Sequence, residues 1–282
     1  MTSGFESSPL ISVEELVEEM DRQDIKIFDV RGSWGGDPEK ARAEYTHSHI
    51  PGAVLIDWTS QFIKPGVPIH LAPVASKEDA RRCFEELGIR DGDTVILYDD
   101  YHHMLAGRIW WAMRYWGFSK VKVLNGGWRQ WCARGFAVSS EPVEVSQGSF
   151  EPVRHETLRV SLASLIETKD GINLVDSRGP IGFKGNDEDT RSGHIPGALN
   201  IPYSDVLDSE TGLFKSAAEL EALFHAELPD FRTTPIVSSC GAGYAGTVTL
   251  LALAIIGVDA PLFDGSFSVW KANEHLPIEK GE

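Results

Sequence analysis

The chain has 282 residues, of which 42% are hydrophobic and 24% are charged, and its formal net charge is -16 at pH 7. This length allows one large domain or two of ordinary size, and the composition is that of a folded chain with a core, not of a disordered one. The acidic balance argues against a nucleic-acid partner, because phosphate binding needs a basic face. A site for an anionic substrate must therefore create positive potential locally.

The first half alternates helix signals with short β-rich runs. Ser12 and Glu15 match a capping box ahead of an apolar stripe, and Ser76 is placed to cap a second helix that buries Cys83. Tryptophans recur at helical spacing in a third, which predicts that they are core residues: Trp110, Trp111 and Trp116. The predicted strands are KIFDV from Lys26, AVLID from Ala53, TVILYD from Thr94 and VKVLN from Val121.

The second half repeats this alternation. Ser216 and Glu219 match another capping box. The predicted strands are INLVD from Ile172, ALNIP from Ala198, PIVSS from Pro235 and APLFD from Ala260. Strand–helix alternation of this kind predicts an α/β fold with a mostly parallel sheet covered by helices on both faces.

The two halves are also similar in sequence. Four pairs of segments occur in the same order, roughly 140 to 147 residues apart: KIFDVRG with INLVDSRG, HIPGAVLIDW with HIPGALNIPY, DTVILYDD with TPIVSSCG, and LNGGWRQW with FDGSFSVW. This period is too long for a solenoid and indicates a duplicated domain. A polar stretch without helical period lies between the copies. We predict domains over 1–140 and 158–282, with a linker over 141–157.

Cys83, Cys132 and Cys240 occur without a C-x-x-C spacing. This odd, low count indicates neither a disulfide framework nor a zinc site and is typical of a reducing compartment. The first residues lack the features of a secretory signal, and the longest apolar run, Val248 to Val258, is too short to cross a bilayer. We expect a soluble cytoplasmic protein without a metal or another cofactor.

Cys240 opens the segment CGAGYAG, between the predicted strand PIVSS and a long apolar helix. Ligands of open α/β sheets bind at the carboxyl ends of strands. At the start of a helix, unpaired N–H groups and the helix dipole favour an anion, and glycines let successive amides turn inward. This position favours the thiolate near neutral pH, so Cys240 is predicted to be a nucleophile.

The same glycines also match a dinucleotide-binding fingerprint, G-x-G-x-x-G, and Asp264 follows Gly241 by 23 residues. However, only 18 residues follow Asp264, too few to complete such a sheet, and the equivalent loop of the first copy lacks the pattern. A cysteine phosphatase would need an arginine at the end of the loop, where Gly246 and Thr247 stand. Both alternatives are therefore disfavoured.

The chain combines duplicated D-x-R strand ends, two HIPGA segments, the LNGGW and DGS pair and a single loop cysteine. With this combination it resembles the tandem-domain rhodanese family of thiosulfate and 3-mercaptopyruvate sulfurtransferases. The resemblance covers nearly all of the chain. It implies two rhodanese-like domains, each a mostly parallel five-stranded sheet flanked by helices. The first copy would be non-catalytic, with Asp99 in place of the cysteine, and the second copy would be catalytic.

The resemblance further implies that sulfane sulfur passes from 3-mercaptopyruvate or thiosulfate, through a Cys240 persulfide, to a thiol or cyanide acceptor. A thioredoxin-like reductant is a further partner to consider, and no nucleic acid or membrane is expected. The main-chain amides of the loop would hold the sulfur: those of Gly241, Ala242, Gly243, Tyr244, Ala245 and Gly246. A catalytically silent sulfur carrier or scaffold of the same fold stays open as an alternative.

The sequence departs from the mercaptopyruvate pattern at three points. Ala242 stands where that type has serine, Tyr244 is bulky, and Gly182 stands where an arginine is expected. Arg191 and Lys184 are the remaining candidate cations for substrate binding, although Arg191 is equally well explained as a solvated loop charge.

From the first copy, Asp57 and His70 match the segments that give an Asp and a His near the mercaptopyruvate site, although His70 is equally well explained as a loop residue. His49 and His194 occur in both copies, so we expect them to be structural. Cys83 and Cys132 are expected to be packing residues.

Overall fold

The computed structural model describes residues 8–35 and 37–281, which divide into two compact units. The N-terminal unit comprises Ser8–Gly66 and Val74–His155, and the C-terminal unit comprises Val67–Pro73 and the chain from Glu156 onward. The predicted domain limits stay predictions, and their outermost residues, 1 and 282, lie outside the described residues.

Residues 141–155 of the predicted linker, 141–157, belong to the N-terminal unit and hydrogen-bond to the rest of it. The amide of Gly148 donates to the carbonyl of Glu85 at 2.8 Å, and the amide of His155 donates to the carbonyl of Tyr115 at 2.8 Å.

Among the described residues of the N-terminal unit, five strands alternate with five helices. The strands are β1 (Leu10–Ile11), β2 (Ile25–Asp29), β3 (Val54–Leu55), β4 (Thr94–Tyr98) and β5 (Val121–Leu124). The helices are α1 (Val13–Glu19), α2 (Pro38–His47), α3 (Lys77–Glu86), α4 (Met104–Tyr115) and α5 (Gly127–Ala133). Ser12 and Glu15 form the predicted capping box, and the Ser76 side chain caps α3.

The C-terminal unit repeats this order. Its strands are β6 (Arg159–Val160), β7 (Asn173–Asp176), β8 (Leu199–Asn200), β9 (Ile236–Ser239) and β10 (Leu262–Phe263). Its α-helices are α6 (Leu162–Thr168), α7 (Pro180–Lys184), α8 (Ala217–Glu227), α9 (Ala245–Ile255) and α10 (Ser266–Ala272). Short 3₁₀ turns occupy Glu156–Leu158, Lys169–Gly171 and Tyr203–Val206. Ser216 and Glu219 form the predicted capping box of α8.

Both sheets are parallel and have the same strand order. The order is β1-β5-β4-β2-β3 in the N-terminal unit and β6-β10-β9-β7-β8 in the C-terminal unit. The predicted α/β fold with two five-stranded parallel sheets is therefore confirmed. Because the strands are parallel, the segments that follow β7, β9 and β10 meet at one edge of the sheet.

A buried apolar layer lies against each sheet. In the N-terminal unit it includes Leu16 of α1, Ile96 of β4 and Trp131 of α5, and in the C-terminal unit it includes Val237 of β9 and Trp270 of α10. Helix α4 is buried along nearly its whole length, and the predicted core tryptophans are all buried: Trp110, Trp111 and Trp116. No helix of the described chain is long and apolar enough to span a membrane.

Candidate active site

Cys240 directly follows β9, at the carboxyl edge of the C-terminal sheet, and is buried, with 2% of its surface exposed. The main-chain N–H of Gly243 donates to its Sγ atom at 3.1 Å. Gly243 has a φ of +82°, a left-handed conformation that is unstrained for glycine but strained for other residues. The glycine therefore turns an amide toward the sulfur, where it stabilises negative charge.

Ser266 is the second group at the sulfur. It is fully buried at the start of α10, and its Oγ lies 3.8 Å from the Sγ of Cys240. The same Oγ accepts a hydrogen bond from the main-chain N–H of Cys240 at 3.1 Å and lies 3.1 Å from the carbonyl oxygen of Phe263. Since a hydroxyl has one proton, Ser266 donates either to this carbonyl or to the sulfur.

Our sequence reasoning did not identify Ser266, although a signal was present. In the paired segments LNGGW and FDGSF, Ser266 stands where the first copy has Gly127. The two residues share a left-handed backbone, with φ of +51° and +53°. A Cβ atom on Gly127 would lie 2.1 Å from the carbonyl oxygen of Asp99, so the first copy excludes a side chain there.

Arg178 borders the loop on the β7 side. Its guanidinium forms an ion pair with Asp176 at 2.6 Å and lies 4.2 Å above the ring of Phe267. The Arg178 side chain is only 16% exposed, and its Cδ atom would be 3.9 Å from a Cβ atom on Gly241. Arg178 is thus a fixed wall of the loop, and Asp176 neutralises its charge.

The N-terminal unit has Asp99 in the place of the cysteine, and the loop is built around it. One carboxylate oxygen of buried Asp99 accepts hydrogen bonds from the amides of Tyr101 and His103 at 3.0 Å, and the other accepts from Leu105 and Ala106 at 2.9 Å. The first copy therefore retains an anion-binding loop, but its own side chain fills it.

The remaining loop residues form the turn into α9. Tyr244 is the N-terminal cap residue of this helix and is buried, and Gly246 packs beneath it, where a Cβ atom would be 3.1 Å from Ser238 Oγ. Gly241, Ala242 and Ala245 are half-buried. The substrate-binding roles of these residues stay predictions.

Arg191 contacts the C-terminal end of α10, the end that lies away from Cys240. Its guanidinium donates to the carbonyl of Lys271 at 3.0 Å, to that of Asn273 at 3.0 Å and to that of Leu276 at 2.8 Å. These contacts stabilise the carbonyls at the end of a helix. Lys184 is exposed at the end of α7.

Asp57 belongs to the N-terminal unit, where its carboxylate is part of a local turn. It accepts hydrogen bonds from the N–H and hydroxyl of Thr59 and from the hydroxyl of Ser60. His70 is exposed and lies in Val67–Pro73, which belongs to the same compact unit as Cys240. For Asp57, His70, Lys184 and Arg191, contact with a substrate stays a prediction.

The HIPGA histidines are buried and have packing partners. His49 stacks on Tyr45, and His194 stacks on Phe183 with its Nδ1 atom 3.0 Å from the Phe183 carbonyl.

The other two cysteines differ from each other. Cys83 is buried, as predicted, and burial raises the pKa of its thiol. The prediction for Cys132 was wrong: it is exposed, because α5 turns Trp131 inward and the next residue outward.

Comparison with known proteins identifies the family and several related chains. The Rhodanese-like domain family matches residues 12–134 and 159–273. The 3-mercaptopyruvate sulfurtransferase of Escherichia coli K12 is 31% identical over 277 residues, covering 95% of this chain and 97% of the relative. The sulfur carrier protein TtuD of Thermus thermophilus is 30% identical, with 97% of each chain covered.

A solved structure shows the same fold. The crystal structure of SseA from Escherichia coli, described as a 3-mercaptopyruvate sulfotransferase with the rhodanese fold, superimposes with a TM-score of 0.82 at 29% identity. The superposition covers 92% of this chain and 99% of SseA. With two matched domains and relatives of full length, the chain belongs to the rhodanese family of sulfurtransferases.

Proposed function

We propose that this protein transfers sulfane sulfur through a persulfide on Cys240. The proposal depends mainly on one observation, the hydrogen bond of 3.1 Å from the N–H of Gly243 to the Sγ of Cys240 at the start of α9. A main-chain donor held by the fold stabilises the thiolate and needs no reorganisation when charge moves to a second sulfur. Ser266 supports the proposal, because its hydroxyl proton has the sulfur as a second acceptor.

The proposed reaction has two displacements. The Cys240 thiolate attacks the outer sulfur of the donor and forms a new S–S bond, while the donor's bond to that sulfur breaks and its electron pair leaves with sulfite or with the enolate of pyruvate, which then takes a proton. An acceptor thiolate or cyanide next attacks the outer sulfur of the persulfide. The S–S bond to Cys240 breaks, and its electron pair returns to the Cys240 thiolate.

Between the two donors, 3-mercaptopyruvate is favoured. The loop from Gly241 to Gly246 carries no charged side chain, and Arg178 beside it is already paired with Asp176. A doubly charged thiosulfate would therefore find little compensating charge, whereas a singly charged carboxylate needs less. The relative from Escherichia coli that is named for 3-mercaptopyruvate supports this choice. We also propose the cytoplasm as the compartment and a thioredoxin-like dithiol as one class of acceptor.

A sulfur carrier is the second candidate function, because TtuD, a relative covered over nearly its whole length, is named as one. A carrier would form the same persulfide but would pass its sulfur to a dedicated protein. The two functions differ in turnover with small acceptors.

Intact-mass spectrometry after mixing the protein with each donor tests the proposal. One added sulfur, removable by dithiothreitol, is expected on the wild type and on Cys132→Ser, and none on Cys240→Ser. No adduct with either donor would contradict the persulfide route. A stable adduct with no turnover in the presence of cyanide or small thiols would favour the carrier.

A further inference from the structure

The N-terminal unit has a cavity at the carboxyl edge of its own sheet. The cavity has a volume of about 510 Å³, within the range of small-molecule sites. It is lined by residues after β2 and β4, along one side of α2 and in α5: Arg31, Lys40, Ala43, Glu44, His47, Ser48, Asp100 and Trp128. This is the edge at which the C-terminal unit carries Cys240, so the cavity is the counterpart of the proposed active site.

No sulfur can be loaded at this edge, because Asp99 takes the place of the nucleophile. Its carboxylate already accepts four main-chain hydrogen bonds of 2.9 to 3.0 Å, so the loop amides are occupied and do not attract a further anion. A ligand of this cavity would therefore be bound without reacting, and the side chains that line the cavity would recognise it.

One wall of the cavity is rigid and electrically balanced. Buried Arg31 forms an ion pair with Asp29 at 2.7 Å, donates to the carbonyl of Ser48 at 2.6 Å and stacks over Trp128 at 4.2 Å. Tyr98 donates to the same carboxylate at 2.7 Å. This wall gives the cavity shape but does not select for ligand charge.

The remaining charged side chains of the lining are Asp100 on one side and, along α2, Lys40 with Glu44. Asp100 lies next to Asp99, and partial desolvation of its carboxyl group, followed by the negative charge of Asp99, raises its pKa to about 6. The residue as a whole is exposed, so its carboxylate is within reach of a ligand. A ligand cation would stabilise the ionised form of Asp100. Along α2, exposed Lys40 supplies positive charge and is only loosely paired with Glu44, at 3.7 Å, while exposed His47 offers a ring nitrogen for hydrogen bonding.

We propose that this cavity is a binding site for a small zwitterion of the amino-acid class, with its ammonium group at Asp100 and its carboxylate at Lys40 and His47. Charge-assisted hydrogen bonds at both ends would orient such a ligand, and a simple anion or cation would satisfy only one end. The site is independent of sulfur transfer at Cys240.

Calorimetric titration of the full-length Cys240→Ser protein with S-methyl-L-cysteine tests this site. The probe is a zwitterion whose blocked sulfur can neither donate nor accept sulfur. We expect saturable binding with one site per chain, weakened about tenfold by Asp100→Asn and several-fold by Lys40→Met. The exposed control changes Asp91→Asn and Lys64→Met should leave the affinity unchanged.

Stability and sulfur-transfer measurements complete the test. Asp100→Asn in an otherwise wild-type chain should leave the thermal midpoint unchanged and the sulfur-transfer rate within twofold of the wild type. This result would show that the site acts independently of Cys240. Absence of binding at millimolar probe, or an affinity that neither Asp100→Asn nor Lys40→Met lowers, overturns the proposal.

Discussion

The hydroxyl of Ser266 accepts the main-chain N–H of Cys240 at 3.1 Å and lies 3.8 Å from the sulfur of the same residue. One side chain from the start of α10 thus holds the backbone of the nucleophile and reaches its reactive atom. A left-handed backbone at a serine costs about 1 kcal/mol, which this contact offsets.

Replacing Ser266 with alanine should therefore slow the chemistry more than it unfolds the protein. The change leaves a buried N–H unpaired and removes the hydroxyl from the sulfur. We expect it to reduce the stabilisation of the transition state by about 1 to 2 kcal/mol, which lowers kcat/KM roughly tenfold. Steady-state rates and alkylation of Cys240 by iodoacetamide at pH 7 measure it. Ser268→Ala, two residues further along the chain, should have little effect on the rate. Equal rates for the two variants would show that Ser266 does not contribute to the reaction.

Gly243→Ala should lower sulfur transfer strongly, because the left-handed turn that aims its N–H at Cys240 is strained for alanine. We expect a fall of about tenfold or more in the rate of persulfide formation. Gly135→Ala is the matched control: Gly135 also has a positive φ, of +70°, and space for a Cβ atom, but it lies in the other unit. If both changes reduce the rate equally, the loss reflects strain in general and not the sulfur contact.

Asp99→Ala should destabilise the N-terminal unit. It leaves four main-chain N–H groups without their acceptor in a buried loop, at a cost of about 3 kcal/mol. Urea unfolding followed by tryptophan fluorescence is the suitable measurement, since seven of the eight tryptophans lie in this unit. The exposed change Asp21→Ala should shift the midpoint little, and an equally small shift for Asp99→Ala would contradict the structural role.

Arg191→Met distinguishes the predicted substrate contact from the contacts seen at the end of α10. Loss of hydrogen bonds to three carbonyls should lower the stability by about 2 kcal/mol and leave KM for 3-mercaptopyruvate within twofold. Arg22→Met, in an exposed ion pair, serves as the control for loss of a guanidinium. A tenfold rise in KM without loss of stability would instead place Arg191 at the substrate.

The ion pairs of Glu151 predict a pH-dependent contribution to the stability of the protein. Hydrogen bonds from Arg81 and Lys77 lower the pKa of its carboxyl from 4.5 to about 2. A carboxyl group whose pKa is lowered in the folded state stabilises the protein above pH 4.5, and this contribution is lost as the pH falls toward 2. The difference in thermal midpoint between wild type and Glu151→Gln should be small, because the pair is exposed, and should vanish across this interval. Glu141→Gln, the same change at another exposed glutamate, is the control.

The helix starts and most strands could be predicted from the sequence because their signals are local. The capping boxes at Ser12 and Ser216 lie where the pattern placed them, since each forms within four residues of chain. The two-residue edge strands β1 and β6 were missed: Leu10–Ile11 and Arg159–Val160 are too short to show a period, and only their partners define them.

The duplicated α/β fold and the single loop cysteine at a strand end could be predicted from the residues alone, because chain order and local periodicity carry that information. The groups that surround the cysteine became known from the three-dimensional fold. Ser266 reaches Cys240 across 26 residues of chain, and Arg191 reaches the end of α10 across 80. The exposure of Cys132 was decided in the same way, by the direction in which α5 faces its sheet. Contacts of this kind depend on how strands are ordered and how helices lie on them, which no local spacing encodes.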